Sequence, residues 1–237
     1  MKIAAASFAF LVGLSLIGCN VAETEPDAAD SSPMSADIST PAADSDTSAT
    51  AETAEANDFL IVPGERVGPI TEATTYDDLV TLFGEAALTN TTWPGPEGSF
   101  NLPATEVDLG PDQSFLAVWL DEARSQLFSI TQLGRDWQTP EGIHVGMPLS
   151  ELEAVLGPFQ LSGFGWDYGG YAFLEGTELA EYQGDLYIRL SPASTTAVNE
   201  ADMIAVSGDR VFDSDNPNLQ AVDPTVVNLD VEFRQLE

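Results

Sequence analysis

The side chains that most often carry chemistry are scarce in this chain of 237 residues, because histidine and cysteine each occur once. Any Ser-His-Asp triad would have to use His144, which stands between Ile143 and Val145. On a strand, that alternation turns its side chain away from its apolar neighbours, so we expect an exposed or capping histidine. The sequence also contains no G-x-S-x-G, H-E-x-x-H, P-loop or dinucleotide-binding motif. These observations argue against a hydrolase that uses a triad or zinc.

Carboxylates are abundant instead, since the chain has 39 Asp and Glu. Glycoside hydrolysis needs only two of them at a suitable separation, one as the acid and one as the base or nucleophile. Such a pair would lie in a cleft, with the pKa of one member raised, and the sequence singles out no such pair. A hydrolase that acts on a glycan with two carboxylates therefore stays open as an alternative function.

The segment DSDNPN places Asp213 and Asp215 at alternate positions, as at the start of a calcium-binding loop. Pro217 occupies the fifth position, and neither the glycine nor the terminal glutamate of such a loop follows. A turn rich in Asx residues is the other interpretation, and we expect no bound metal or cofactor.

The most unusual local composition is GFGWDYGGY, residues 163–171. One interpretation is a bulged strand whose aromatic rings fill the core. The other is an exposed aromatic surface that binds a protein or a glycan, formed by Trp166 and Tyr168 with the carboxylate of Asp167 between them. These three residues are the candidate binding surface.

The single cysteine, Cys19, follows a cationic residue, Lys2, and an apolar run over residues 3–17. A run of about 15 residues is shorter than the roughly 20 that a transmembrane helix needs, and its terminal position is typical of a secretory signal. We therefore expect export, with residues 1–18 as the signal peptide.

The residues LIGC at 16–19 resemble the lipobox of bacterial lipoproteins. The resemblance implies cleavage after Gly18 and acylation of Cys19, with a diacyl group on its sulfur and another chain on the new N-terminus. Two or three acyl chains anchor a protein stably to a membrane. Asn20 stands where an aspartate would resemble an inner-membrane retention signal, which favours the outer membrane, facing the periplasm.

The chain is strongly acidic, with a formal net charge of -32. Such a field repels phosphate backbones, so we expect no nucleic-acid partner. Residues 19–58 contain mainly Ala, Ser, Thr, Pro, Asp and Glu, and this composition predicts a disordered acidic tether between the lipid anchor and the domain that follows.

Two segments after the tether, 67–84 and 141–157, align at an offset of 73 residues, which pairs Leu79 with Leu152 and Gly84 with Gly157. Continued at the same offset, Trp93 meets Trp166. This similarity predicts two tandem units, 59–135 and 136–237, each with a short helix packed on an antiparallel sheet, and hence an α+β fold.

Caps define both predicted helices. Thr75 and Asp78 form a capping-box pattern before the first helix, Pro148 stands near the start of the second, and Gly84 and Gly157 follow their ends. Apolar runs predict strands over residues 115–120, 126–133, 171–174, 185–190, 203–208 and 228–236.

The second segment, IHVGMPLSELEAVLG, is similar to an element of BamE-like (SmpA/OmlA) outer-membrane lipoproteins and of the repeats of β-lactamase inhibitory protein. The resemblance implies small units of helix and sheet that bind other proteins. We therefore expect a lipid-anchored, non-catalytic binding module of the cell envelope whose partner is an envelope protein.

Overall fold

A computed structural model of the protein describes residues 57–95, 98–192 and 198–233. The predicted signal peptide (residues 1–18), Cys19 and the tether up to residue 56 lie outside these ranges. Asp58, at the end of the predicted tether, belongs to the fold, because its Oδ2 lies 2.6 Å from Nη1 of Arg66. Within the described ranges, no helix is long and apolar enough to span a membrane.

The first helix, α1 (Tyr76–Phe83), follows a small antiparallel sheet of three two-residue strands: β1 (Ile61–Val62), β2 (Arg66–Val67) and β3 (Ile70–Thr71). The predicted capping box is confirmed, because the Thr75 hydroxyl accepts from the backbone N–H of Asp78 while the Asp78 carboxylate accepts from that of Thr75. The helix ends at Gly84, whose φ of 83° is unfavourable for residues with a side chain.

The second helix, α2 (Leu149–Leu156), confirms the other helix prediction. Pro148 is its N-cap, and it ends at Gly157, where φ is 72°. Leu152, like Leu79 in α1, has no exposed surface. The aligned positions therefore occupy equivalent places on two helices that each bury one apolar stripe.

The largest element is a six-stranded antiparallel sheet of order β10-β12-β7-β6-β5-β4. Its strands are β4 (Leu88–Pro94), β5 (Asn101–Val107), β6 (Phe115–Trp119), β7 (Leu127–Thr131), β10 (Leu186–Ser191) and β12 (Thr225–Glu232). Strands from both sides of residue 135 thus share one sheet.

One face of this sheet, the inner face, carries the main core. The register aligns Ala117 with Ile130 and Ile130 with Val231 across its three central strands, and all three are fully buried. Leu79 and Leu152 belong to the same apolar cluster, so both helices pack with the sheet. The predicted α+β class is confirmed.

A third sheet, of order β11-β8-β9, consists of β8 (Gln160–Ser162), β9 (Ala172–Phe173) and β11 (Val211–Asp213). The helices α3 (Glu200–Ala205) and α4 (Pro217–Val222) flank β11 in the chain. Two short 3-10 helices, Glu85–Ala87 and Ala180–Tyr182, complete the described elements.

The strand predicted over residues 203–208 is wrong, because residues 203–205 form the end of α3 and residues 206–208 follow it as a turn. The Asn199 side chain accepts from the N–H of Ala201, and Glu200 and Asp202 place negative charge in the first turn of the helix. The cap and the helix dipole therefore prevail over the β-branched residues of the segment.

Candidate functional site

A cavity of about 710 Å³ lies on the outer face of the six-stranded sheet, opposite the main core. Strands β7, β10 and β12 form its floor, and β9, β11 and the loop of residues 163–171 form its walls. Its volume suits a small molecule or a short segment of a polymer.

The polar floor results from strand alternation. On β12, Leu229 and Val231 are fully buried in the core, so the intervening Asp230 and the following Glu232 turn to the outer face. Arg189 of β10 likewise lies between two buried residues and faces the cavity. The sheet thus presents two carboxylates and a guanidinium to the same space.

Asp230 is held by hydrogen bonds from its neighbours on the floor. Its Oδ1 accepts from the hydroxyl of Thr131 and from Nδ2 of Asn228, the latter at 2.7 Å. Burial raises the pKa of Asp230, whereas these two hydrogen bonds and the nearby Arg189 charge act to lower it. The net shift is upward, because desolvation disfavours the ionised form more than its partners favour it.

Glu232 is the second carboxyl group of the floor whose pKa is raised. Burial raises its pKa to about 7, a hydrogen bond with Tyr187 opposes the rise, and the charges of Asp230 and Asp185 add to it. At neutral pH this group is therefore present in both protonation states. Perturbed carboxyl groups in a cleft are a feature of functional sites.

Arg189 is fixed on two sides. Its Nε donates to the carbonyl of Gly169 at 3.0 Å, and its guanidinium lies 5.5 Å from the centre of the Tyr171 ring. These contacts join the floor to the aromatic loop. Burial, with the charge of Asp230 second, raises the pKa of the Tyr171 hydroxyl, which is therefore neutral at physiological pH.

The aromatic wall lies in the loop of residues 163–171. Trp166 donates its Nε1 to the carbonyl of Gly163 at 2.8 Å, which fixes the indole ring. The ring of Tyr168 lies 5.4 Å from it, tilted by 58°, and 43% of this residue is exposed. Phe164, from the same segment, is buried in the core. Phe164 thus fits the interpretation of a ring that fills the core, whereas Trp166 and Tyr168 form an aromatic surface at the cavity.

The structure separates the three residues of the candidate binding surface. Trp166 and Tyr168 line the cavity, whereas Asp167 is exposed and is not among the described residues that line it. Trp93, the predicted equivalent of Trp166 in the first repeat, lines the same cavity from β4. The two aligned tryptophans thus contribute to one site.

A second arginine lies at the rim of the cavity. The Nη2 of Arg210 donates to the carbonyls of Ala205 and Ser207, at 2.8 and 3.0 Å, and its guanidinium lies 5.0 Å from the centre of the Phe212 ring. Asp209 beside it adds a third carboxylate to the lining.

His144 lies away from this site. Its Nδ1 lies 3.0 Å from the carbonyl oxygen of Val145, and its side chain is partly buried. It is not among the described residues that line the cavity.

The segment DSDNPN connects the end of β11 to the start of α4. Asp213 Oδ1 accepts from Nε2 of Gln160 at 2.8 Å, and the side chain of Asn216 accepts from the N–H groups of Asn218 and Leu219 as the N-cap. Asp215 lies exposed between them. Across the described ranges, no group of three or more His, Cys, Asp or Glu side chains is arranged to hold a metal ion.

Sequence reasoning did not single out Asp230 and Glu232. The signal was present in the alternation of NLDVE, which places both acids on one face of the strand. That face becomes a site only because the aromatic loop folds over it, and alternation alone does not show this contact.

No protein-family model and no curated protein matches this chain. Among solved structures, the "uncharacterized protein yfeY from Escherichia coli" matches it with a TM-score of 0.43 and 13% identity, over 72% of this chain and 98% of that one. This likeness carries no argument about function.

Proposed function

We propose that the protein is a lipid-anchored lipoprotein of the bacterial cell envelope that binds a ligand in the cavity without transforming it. The lipobox residues at 16–19 support the anchor, and Asn20 supports the outer membrane as its location, with the domain facing the periplasm. The observation that carries the binding function is the combination of an aromatic wall with a polar floor, joined through Arg189. Binding sites unite apolar lining with a few fixed polar groups in this way.

The test compares two exposed aromatic residues. Tyr168 lines the cavity and is 43% exposed, while Phe100 lies outside the cavity lining and is 40% exposed. Thermal unfolding of the full-length protein is measured with fractions of a cell-envelope extract, since a bound ligand stabilises the folded state. We expect one fraction to raise the Tm of the wild type and of Phe100→Ala but not of Tyr168→Ala. If the Tm of Tyr168→Ala rises equally, the cavity is not the binding site.

The second candidate function is a glycan hydrolase. The observation that favours it is the carboxylate pair, because Glu232, with its pKa raised to about 7, suits a general acid beside the hydrogen-bonded Asp230. Glu232→Gln would abolish such hydrolysis while preserving the shape of the site, and the measurement is the release of reducing ends from oligosaccharides. Equal release by wild type and variant would exclude this role for Glu232.

A further inference from the structure

We infer that the ligand is a neutral oligosaccharide, whose sugar rings lie against the aromatic wall and whose hydroxyl groups bond to the polar floor. The inference rests on the proposed binding function and names the chemical class of its ligand.

The aromatic wall offers ring faces rather than polar edges. The indole N–H of Trp166 is already donated to Gly163, so the exposed part of this side chain is apolar. Tyr168 extends the same surface, and Trp93 adds a second indole on β4. Aromatic faces carry negative charge density and attract weakly positive C–H groups. The C–H groups on one side of a sugar ring match this requirement.

The floor offers donors and acceptors side by side, as a sugar hydroxyl requires. A carboxylate has roughly four lone-pair sites, and Thr131 and Asn228 both occupy the Oδ1 of Asp230. A guanidinium has about five N–H donors, and Arg189 uses the one on Nε to donate to the carbonyl of Gly169. A sugar hydroxyl can therefore donate to the carboxylate of Asp230 and accept from the guanidinium of Arg189.

The charges on the cavity lining favour a neutral ligand over an ion. Three carboxylates (Asp209, Asp230 and Glu232) stand against two arginines (Arg189 and Arg210), and the whole chain carries a net charge of -32, which disfavours phosphate-bearing ligands. A cationic ligand would have to compete with Arg189, whose charge already acts on Asp230.

The position of the cavity on the sheet also argues against two other ligand classes. An extended peptide that adds a strand needs unpaired backbone groups at a sheet edge. In the floor, β12 and β7 are each paired on both sides, and the edge strand β10 already bonds to the aromatic loop through the N–H of Leu190 and the carbonyl of Gly170. An acyl chain would cover the remaining lone pairs of Asp230 and Glu232 and remove them from water without supplying hydrogen bonds of its own, which is unfavourable.

The test measures tryptophan fluorescence and heat of binding for the full-length protein in a detergent without a sugar head group. The probes are hexamers of β-1,4-linked glucose, α-1,4-linked glucose and β-1,4-linked N-acetylglucosamine. Spermidine and an uncharged hexapeptide serve as comparators. We expect at least one hexamer to bind, with an affinity that changes little with salt, because no ion pair forms.

Two pairs of variants locate the binding. Tyr168→Ala should weaken binding of the hexamer by about tenfold or more, as loss of a central aromatic contact does, and Phe100→Ala should leave it unchanged. Asp230→Asn, which removes an acceptor from the floor, should also weaken binding, while Glu106→Gln on the exposed surface of β5 should not.

Failure of all three hexamers overturns the inference. If spermidine or the peptide binds instead and Tyr168→Ala abolishes that binding, the ligand class is wrong and the proposed function stands. If no probe binds and no envelope fraction stabilises the protein through Tyr168, the proposed function fails as well.

Discussion

Asp230 and Glu232 lie two residues apart on β12, and both turn their carboxyl groups away from the main core towards the cavity. Burial raises the pKa of both groups, and the charge of Asp230 contributes to the rise at Glu232. The sheet therefore holds two acids together where water is partly excluded. This arrangement opposes stability at neutral pH, which is typical of residues retained for a function.

Glu232→Gln should stabilise the protein at high pH and leave it nearly unchanged in acid. The pKa of Glu232 rises from an ordinary value of 4.5 to about 7 on folding, so the folded state holds the proton more tightly. The contribution of Glu232 to the free energy of unfolding is therefore fully present below about pH 4.5 and is lost as the pH rises through about 7. Glutamine mimics the protonated form and escapes this loss.

Urea unfolding at about pH 5 and pH 8 measures the effect. We expect the variant to exceed the wild type by about 1 to 2 kcal/mol at the higher pH, after allowance for solvent in the open cavity. Tyr187, Asp185 and Asp230 surround position 232 in both proteins, so the difference in stability between them comes from the ionisation of Glu232. Glu106→Gln on the exposed surface of β5 is the control, and its difference from wild type should not change with pH. If the difference in stability from the wild type is independent of pH for both variants, the pKa of Glu232 is not raised.

Thr131→Val should destabilise the protein by about 1 to 3 kcal/mol, because the buried Asp230 would lose the donor of one hydrogen bond and keep the one from Asn228. The hydroxyl of Thr131 donates to Asp230, and valine has the same shape without the donor. Thr89→Val, on an exposed position of β4, is the matched control and should stay within about half a kcal/mol. Chemical denaturation measures both, and equal stability of the two variants would show that Asp230 does not depend on this bond.

Leu79→Ala and Leu152→Ala should each destabilise the protein by about 2 to 5 kcal/mol, because each empties a fully buried leucine site. The exposed neighbours Asp77→Ala and Glu151→Ala serve as controls and should change stability by about half a kcal/mol or less. Urea titration measures all four. If either leucine tolerates alanine as well as its control does, that helix does not pack through the predicted stripe, and the repeat alignment loses its physical basis.

The helices α1 and α2 were predictable because their signals are local. Thr75 with Asp78, Gly84 and Gly157 act within one turn of the helix they delimit, so the sequence contains all that is needed. The strands β6, β7 and β10 were predicted because their apolar residues stand out from their surroundings. Each of these elements has the structure that its own residues favour.

The strands β4 and β5 were not predicted, because their pairing is decided by distant residues. Four consecutive side chains of β4, Thr89 to Thr92, are polar and exposed, so the strand lacks an alternation of apolar and polar residues, and β5 contains Pro103. Their seven-residue register with each other stabilises both. The cavity was hidden for the same reason, since its floor and its aromatic wall come from segments far apart in the sequence.

Cys19→Ser should leave the signal peptide uncleaved by the lipoprotein peptidase and release the protein from membranes. The lipid would be lost with the sulfur, and the remaining apolar run is too short for a comfortable membrane span. Detergent-phase partitioning and the migration of the protein on a gel measure this outcome. A variant that partitions and migrates like the wild type would show that the lipobox interpretation is wrong.

Gly170→Ala should detach the aromatic loop from the sheet. Gly170 has a φ of 83°, and its carbonyl accepts from the N–H of Leu190 at 2.8 Å. A Cβ atom at this position would collide with the carbonyl oxygen of Leu190, so the loop and β10 must separate. This separation would disturb the contacts of Arg189 with Gly169 and Tyr171 and open the wall of the cavity.

Gly176→Ala is the matched control, because Gly176 has a φ of 80° and no heavy atom lies within 4 Å of an added Cβ. The control should lose only the strain energy of the left-handed conformation, about 1 to 2 kcal/mol. Any further loss of stability in Gly170→Ala measures the collision with Leu190. Quenching of tryptophan fluorescence by acrylamide reports the cavity wall, because Trp119 and Trp137 are fully buried while Trp93 and Trp166 line the cavity. Quenching should increase in Gly170→Ala alone. If both variants lose equal stability and the quenching is equal, the contact with Leu190 does not hold the loop, and the contacts of Arg189 with Gly169 and Tyr171 position the cavity wall instead.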